Sequence, residues 1–146
     1  MALFTSRHRV YWSDTDAAGI AHFTSFFRYC EKTEEDLLYS VAGKRDFRSV
    51  GVLLPRVKAS CDYLYPLYPG DVARVDIEDI VVGDKSVTYK FTVYNETRRQ
   101  RSAECEIVAV AVDPKTMRST SLPGELRQLL ISIGAKEKPL QGSSLK

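Results

Sequence analysis

The sequence has little of what several classes of protein require. Its 146 residues include three cysteines and two histidines, and the cysteines lack the close spacing of a zinc site. Lysine and arginine number 21 against 19 aspartates and glutamates, so the charge gives no reason to expect nucleic acid or an anionic membrane as partner. The longest strongly apolar stretches, such as 107–112, are far shorter than the roughly 20 residues of a membrane-spanning helix. We therefore expect neither a bound nucleic acid nor a membrane span.

The cysteines and the N-terminal residues bear on the compartment. Cys30, Cys61 and Cys105 are far apart in the sequence, and an odd number cannot all pair within one chain. We interpret them as reduced core thiols. Residues 1–9 contain no apolar run followed by small residues, as a secretory signal would. Together these features predict a cytoplasmic protein.

The length and composition fit one folded domain. Hydrophobic residues make up 44% of the chain and charged residues 27%, which is typical of a single compact core. No repeat or shift in composition divides the chain. We expect one domain over residues 1–134 and a loose polar tail over residues 135–146.

Alternation of apolar and polar residues predicts five strands. The clearest pattern places Val87, Tyr89, Phe91 and Val93 on one side of a segment and polar residues on the other. Short turns such as Gly83-Asp84 favour antiparallel pairing. The predicted strands are 5–12, 53–63, 72–80, 86–94 and 101–112.

A long helix separates the first two predicted strands. Apolar residues recur at helical spacing over residues 24–41, with Thr24 as N-cap and a stop signal at Gly43, Lys44 and Arg45. A second, short helix is predicted between Pro123 and Gly134. This order predicts an α+β fold in which one long helix lies across a five-stranded antiparallel sheet. Its open edges favour association with a second copy.

The segment 11–31 carries the most informative motif, Asp14-x-Asp16-x-x-Gly19-Ile20 followed by an aromatic residue and a helix with a glutamate. It resembles the hotdog-fold thioesterases of the 4-hydroxybenzoyl-CoA thioesterase type, which include the tol-pal-associated acyl-CoA thioesterases. The resemblance extends to Tyr65-Pro66 and Gly70-Asp71. It implies a hotdog subunit, dimers that pair sheet edges and build tetramers, and active sites at the dimer interface. It also implies an acyl-CoA substrate and neither a metal nor an organic cofactor.

The resemblance also implies roles for particular residues. Asp16 matches the catalytic carboxylate, which either attacks the thioester carbonyl or activates water. Phe23 would direct its backbone N–H at the carbonyl oxygen. Elementary chemistry supports this pairing, since a helix N-terminus offers unpaired N–H groups and one such donor is worth roughly 3 kcal/mol in related oxyanion sites. The alternative for Asp16 is a turn residue, and Asp14 is assigned to ordering the loop.

Further residues are predicted to contact the substrate. Gly19 would permit close backbone approach or a positive φ. His22, one position before the family's histidine, could orient water or substrate, with an exposed or packed histidine of no functional role as the alternative. Tyrosines 63, 65 and 68 are interpreted as core residues, with an acyl pocket as the alternative. The basic and hydroxyl residues that could contact CoA are Arg56, Lys58, Ser60 and Lys85, for each of which a solvated surface position is the alternative.

The predicted function is hydrolysis of an acyl-CoA thioester to the free acid and CoA. The aromatic residues Trp12, Phe23 and Phe26 suit an aryl group, but they also suit a short or medium aliphatic chain. One alternative is a hotdog hydratase or dehydratase, for which His22 is the sole candidate histidine. Another is a non-catalytic module that binds acyl-CoA or acyl-carrier protein and does not need Asp16.

Overall fold

A computed structural model of the chain describes residues 1–42 and 51–139. Within these residues it has two α-helices and six strands, which occur in the order β1 (Phe4–Arg9), α1 (Ser25–Ala42), β2 (Arg56–Tyr63), β3 (Val72–Val82), β4 (Ser86–Asn95), β5 (Gln100–Val110), α2 (Gly124–Ser132) and β6 (Lys136–Glu137). The predicted α+β class is confirmed. The predicted stop signal at residues 43–45 lies outside the described residues. Neither helix is long and apolar enough to span a membrane.

The main sheet has the strand order β1-β3-β4-β5-β2, and all these neighbours pair antiparallel. β1 and β2 are therefore the two edges, although they are consecutive strands in the sequence. The chain reaches the second edge through α1, which crosses one face of the sheet. This crossing brings the loop before α1 and the end of β2 into one region.

The core lies between α1 and the facing side of the sheet. On β4, Val87, Tyr89, Phe91 and Val93 are all buried, as their alternation predicts. The helix contributes five buried apolar side chains: Phe26, Tyr29, Cys30, Leu37 and Leu38. Burying one large apolar side chain stabilises a fold by about 2 kcal/mol, so this contact fixes the position of α1 on the sheet.

The first strand is shorter than the strand predicted over residues 5–12. β1 ends at Arg9, and Trp12–Asp14 form a single 3₁₀ turn. In this turn the Asp14 N–H donates to the carbonyl of Tyr11 at 2.9 Å. The turn leaves the Trp12 side chain 86% exposed and directs the chain away from the sheet toward α1.

The prediction of three reduced thiols is wrong for two of the cysteines. Cys61 and Cys105 are paired directly across β2 and β5, with Cα atoms 4.1 Å apart, and form a disulfide. They are 44 residues apart in the sequence, so only the strand register brings them together. Cys30 is free and buried, and burial raises the pKa of its thiol.

The prediction of a loose tail is wrong for its first residues. Lys136 and Glu137 pair parallel with Val81 and Val82 of β3, and the Lys138 N–H donates to the carbonyl of Val82 at 2.7 Å. Backbone pairing, which leaves no side-chain pattern, holds this segment. Residues 140–146 lie outside the described residues, and the division of the chain at residue 134 stays a prediction.

Candidate active site

The side chain of Asp14 ties the loop after β1 to the helix. Its Oδ2 accepts hydrogen bonds from the Tyr11 N–H at 2.9 Å and from the Tyr29 hydroxyl at 3.0 Å, and Oδ1 lies 3.3 Å from the Arg28 guanidinium. Burial alone would raise the pKa of Asp14, but these hydrogen bonds and the charge of Arg28 hold it below its ordinary value. Asp14 is thus a buried carboxylate with its partners in place. This arrangement fits the predicted role in ordering the loop.

The backbone carbonyl of Asp14 fixes the residues that lead into α1. It accepts the N–H of His22 at 2.8 Å and the hydroxyl of Ser25 at 2.7 Å. Ser25 is the first residue of α1 and is fully buried. One residue therefore anchors both the 3₁₀ turn and the start of the helix.

Asp16 lies at the surface of this loop and is exposed. Its Oδ1 accepts the N–H of Ala18 at 2.8 Å, and its carbonyl accepts the N–H of Gly19 at 2.9 Å. Gly19 has φ of +79°, a left-handed conformation that glycine adopts without strain. Within residues 1–42 and 51–139, no protein donor bonds to Oδ2 of Asp16. The side chain thus serves the turn with one oxygen and leaves the other available.

The residues just before α1 present an unused backbone donor. In the described part of the chain no protein acceptor takes the N–H of Phe23, which belongs to the positive end of the helix. The neighbouring His22 is held by Thr24, whose N–H and hydroxyl lie 3.2 Å and 2.7 Å from Nδ1. Because Nδ1 accepts from the Thr24 N–H, the neutral ring carries its proton on Nε2.

Asp16 and Phe23 line the same cleft, which has a volume of about 410 Å³. Its other walls are mostly apolar or aromatic: Ile20, Ala21, Phe26, Tyr63, Leu64, Tyr65 and Pro66. The loop after β2 closes one side, because the Ala21 N–H donates to the carbonyl of Leu67 at 2.8 Å. The cleft joins a carboxylate, a helix N-terminus and an apolar surface, which are the parts that hydrolysis of an acyl thioester needs.

A family model described as the thioesterase-like superfamily matches residues 10–130 of this chain. The chain belongs to that superfamily. The 1,4-dihydroxy-2-naphthoyl-CoA hydrolase of Crocosphaera subtropica is 31% identical over 132 residues, which cover 88% of this chain and 96% of the relative. The hydrolase of the same name from Nostoc punctiforme is 32% identical over 131 residues, with 87% and 86% covered.

The solved structures agree with this assignment. The crystal structure of a 1,4-dihydroxy-2-naphthoyl-CoA thioesterase from Synechocystis superposes with a TM-score of 0.79 at 26% identity, covering 88% of this chain and 95% of that one. The predicted hotdog fold and thioesterase family are therefore confirmed, and with them the predicted class of enzyme, a thioester hydrolase.

The CoA contacts predicted on β2 lie outside the lining of the cleft. They are Arg56, Lys58 and Ser60. Arg56 is paired with the buried Glu34 and lies 3.9 Å from Glu31, so its guanidinium is already engaged by α1. Burial raises the pKa of Glu34, and the nearby Arg56 opposes that rise. Lys58 lies 3.7 Å from Glu106. Ser60 opposes Glu106 in the strand register and lines a separate depression.

Lys85 lies at the other end of the sheet. It is in the turn between β3 and β4, whereas the Asp16 loop follows the end of β1, which pairs with the beginning of β3. The carbonyl of Lys85 accepts the N–H of Ala111 at 2.8 Å, which fixes the turn. Within a single thioesterase subunit, Lys85 and Asp16 are therefore not brought together.

Tyr63 and Tyr65 are the site residues that sequence reasoning assigned to the core. Tyr63 is 45% exposed in the cleft, and its ring meets that of Phe26 edge-on at 5.0 Å. Tyr68, the third tyrosine of this segment, instead lies under the Arg98 guanidinium at 4.2 Å. The signal that separates them is position: Tyr63 ends β2 and Tyr65 comes two residues later, where the chain reaches the cleft. In the described ranges no three histidine, cysteine or acidic side chains form a candidate metal group.

Proposed function

We propose that this chain hydrolyses an aryl-CoA thioester, with Asp16 as the catalytic carboxylate and the Phe23 N–H as the donor to the carbonyl oxygen. The observation that carries the proposal is the cleft that both residues line. Asp16 presents an exposed carboxylate oxygen, and Phe23 presents a backbone donor without a protein acceptor. The two groups have the complementary charges that attack on a carbonyl requires.

The reaction can follow either of two routes from this carboxylate. Asp16 attacks the thioester carbon and forms an anhydride that water then opens, or it takes a proton from a water molecule that attacks the same carbon. In both routes negative charge develops on the carbonyl oxygen, where the Phe23 N–H can stabilise it. The C–S bond then breaks, CoA leaves as the thiol once protonated, and the acid is released.

The aryl class of substrate is supported by the walls of the cleft. Phe23, Phe26, Tyr63 and Tyr65 supply aromatic surface around the proposed carbonyl position, and aromatic rings pair favourably edge to face or offset. The relatives from Crocosphaera and Nostoc are named as hydrolases of a naphthoyl-CoA. A bicyclic or monocyclic aromatic acyl group is therefore the proposed occupant.

A second copy of the chain is the proposed partner. The outer edge of β2 has no neighbouring strand within the described residues, and Val57 and Leu64 beside it are 60% and 54% exposed. Pairing of two β2 edges would cover these side chains and satisfy the strand's free backbone groups. In such a dimer, Lys58 or the second copy's Lys85 could reach the CoA portion, with Gly19 and His22 flanking the thioester.

We place this hydrolase in the cytoplasm, where CoA thioesters are used. Cytoplasmic thiol systems keep most cysteines reduced, whereas Cys61 and Cys105 form a disulfide in this structure. The proposed location therefore rests on the use of CoA thioesters. Fractionation of cells tests it: the protein should be recovered with cytoplasmic markers, and recovery with secreted or membrane fractions contradicts this location.

The deciding experiment measures thiol release from a panel of aryl- and alkyl-CoA thioesters. Wild-type protein should hydrolyse aryl-CoA with the highest kcat/KM, and Asp16→Asn should lower kcat by about 10²–10⁴-fold, the usual contribution of a general base, while KM changes only a few-fold. Asp113→Asn is the matched control, because Asp113 also accepts the N–H two residues ahead, at 2.7 Å from Lys115, but lies outside the cleft.

Each outcome of this experiment bears on the proposal. Absence of turnover with every thioester, despite binding of acyl-CoA, would support the binding module instead. Retention by Asp16→Asn of more than a tenth of the wild-type kcat on the best substrate would show that another residue acts as the base. Loss of activity in Asp113→Asn as well would show that the same substitution in a turn outside the cleft also lowers activity, and would contradict a specific role for the charge of Asp16.

A further inference from the structure

Tyr63 makes a hydrogen bond that the proposed reaction does not yet use. It is the last residue of β2, and its hydroxyl donates to the backbone carbonyl of Phe23 at 2.7 Å. The bond joins the edge of the sheet to the residues that start α1, across 40 positions of sequence. The ring of Tyr63 is braced at the same time, because it packs edge-on against Phe26 at an interplanar angle of 87°.

The bond acts on the backbone that carries the proposed oxyanion donor. The preceding peptide, which contains the Phe23 N–H, has its own carbonyl on His22, and this carbonyl accepts the N–H of Ser25 at 2.8 Å. The following peptide has its carbonyl on Phe23, and Tyr63 is the side chain that bonds to it. Both peptide planes that meet at Phe23 are thus held, and the N–H between them is the group left for a ligand.

The surroundings of Tyr63 keep its hydroxyl in the donating form. Burial raises the pKa of Tyr63 above its ordinary value, so the phenol stays protonated throughout the range in which enzymes are assayed. A tyrosine that served merely as a wall of the cleft could leave its hydroxyl in water, since its side chain is 45% exposed. The hydroxyl instead points at a backbone oxygen within hydrogen-bonding distance.

We propose that Tyr63 is a positioning residue, whose hydroxyl holds the Phe23 backbone so that its N–H points at the thioester carbonyl oxygen. This inference rests on the proposed function of the cleft. Oxyanion donors act through preorganised direction, and a shift of about 1 Å at a reacting group can cost 10²-fold in rate. Tyr63 would therefore affect the chemical step without touching the reacting atoms.

The test is Tyr63→Phe, which keeps the ring and its packing and removes the hydroxyl alone. We expect kcat on the best aryl-CoA to fall by about 10-fold, with KM within 3-fold of wild type, since the lost bond acts in the transition state. Tyr94→Phe is the matched control. Tyr94 is on β4, where its ring lies under the guanidinium of Arg74 from β3, and it is outside the cleft lining. Removal of its hydroxyl should therefore leave kcat unchanged. The melting temperatures of both variants are measured alongside.

A spectroscopic measurement tests the direction of the Phe23 N–H separately from the rate of hydrolysis. Benzoyl-CoA labelled with ¹³C at the carbonyl is bound to Asp16→Asn and to the double variant Asp16→Asn/Tyr63→Phe, in which hydrolysis is slow. Difference infrared spectra should show the carbonyl band lowered by binding to the first protein, and returned toward its position in water in the second. This shift reports how well the donor meets the oxygen, and a role in stability alone would not move it.

The outcomes separate the inference from the function on which it rests. An unchanged kcat in Tyr63→Phe, or a raised KM with kcat unchanged, overturns the positioning role, as does a carbonyl band that is the same in both proteins. If wild-type protein hydrolyses no thioester, the proposed function fails. The infrared comparison on bound benzoyl-CoA then still decides whether Tyr63 directs the Phe23 donor.

Discussion

The two edge strands of the sheet differ in how much of their surface the rest of the chain covers. β1 is tied to α1 by polar side chains, with the Ser6 hydroxyl 2.6 Å from Asp36 and His8 Nε2 2.9 Å from Thr33. β2 is exposed at every position except Cys61. β2 is fastened to the rest of the chain by its backbone pairing with β5, by the disulfide to Cys105, by the ion pair of Arg56 with Glu34 and by the hydrogen bond of Tyr63 to Phe23.

Neither edge strand has an outer neighbour within the described residues, and this contrast bears on which of them a second copy would use. On its outer face β1 also bonds to its neighbours, through Thr5 with Asp76 at 2.7 Å and Arg7 with Glu96 at 2.8 Å. Both partners lie on the β3 and β4 side of β1, so these bonds hold the strand on the sheet, and the charge of Arg7 discourages pairing with another strand. β2 has a firm attachment on one side and, in the part of the chain that the structure describes, backbone groups without a neighbouring strand on the other. This is what a strand shared between two copies needs.

The disulfide should make the largest single contribution to holding β2. Replacing Cys61 and Cys105 with serine removes a link between residues 44 positions apart, for which the loop-entropy relation gives about 4 kcal/mol. We expect urea unfolding of the oxidised wild type and of Cys61→Ser/Cys105→Ser to differ by up to that amount. Reductant should bring the wild type to the value of the variant and leave the variant unchanged. A difference below about 1 kcal/mol would show that side-chain packing alone secures this edge.

A charge placed on each edge strand in turn should show which of the two strands mediates association of two copies. Val57→Lys puts an ammonium group on the exposed side of β2, and we expect the dissociation constant of the dimer to rise by about 100-fold, or about 2.7 kcal/mol. Thr5→Lys is the matched control on β1 and should leave association unchanged. Analytical ultracentrifugation over nanomolar to micromolar concentrations measures both. If Thr5→Lys dissociates the assembly and Val57→Lys does not, then β1 is the shared edge.

The loop that continues β1 should show the smallest effect and the clearest dependence on pH. Asp14→Asn loses charge-assisted hydrogen bonds from Tyr29 and Arg28, and we expect it to lower the free energy of unfolding by about 2 kcal/mol at pH 7. The folded pKa of Asp14 is below its ordinary value of 3.8. The carboxylate's contribution is therefore complete above that value and is lost as the pH falls through the lower, folded one.

Chemical denaturation of wild type and Asp14→Asn between pH 7 and pH 2 measures this loss. The two stability curves should converge at the acid end, because protonated Asp14 and asparagine then make similar contacts. A constant separation down to pH 2 would mean that the charge of Asp14 contributes nothing to the anchoring of the loop.

The regular parts of this fold could be predicted from the sequence because each has a period of its own. The alternation along β4 and the helical spacing in α1 describe surfaces that must be buried, and the structure buries them. The first strand was predicted too long because Tyr11 and Trp12 continue the alternation in sequence while the Asp14 hydrogen bonds turn the chain. A local polar contact here overrides a pattern of side chains.

The residues of the candidate site that lie in one segment could be predicted from the sequence, but the residue that comes from a distant strand could not. Asp16 and Phe23 are close in the sequence, so a motif can join them. Tyr63 comes from a strand at the opposite edge, and its approach to Phe23 depends on the register of β2 with β5. The same register brings Cys61 to Cys105. Register of distant strands leaves no trace in spacing, which is why both contacts were missed.

If two copies pair through β2, as proposed, the concentration of the protein affects its activity. Tyr63 stands at the end of that strand, so a partner that stiffens the strand would also stiffen the hydrogen bond to Phe23. By mass action the paired form is favoured when the protein is abundant and lost on dilution. Specific activity should then rise with enzyme concentration and level off once the edge is filled, which would make the amount of enzyme in the cell a control on its own turnover.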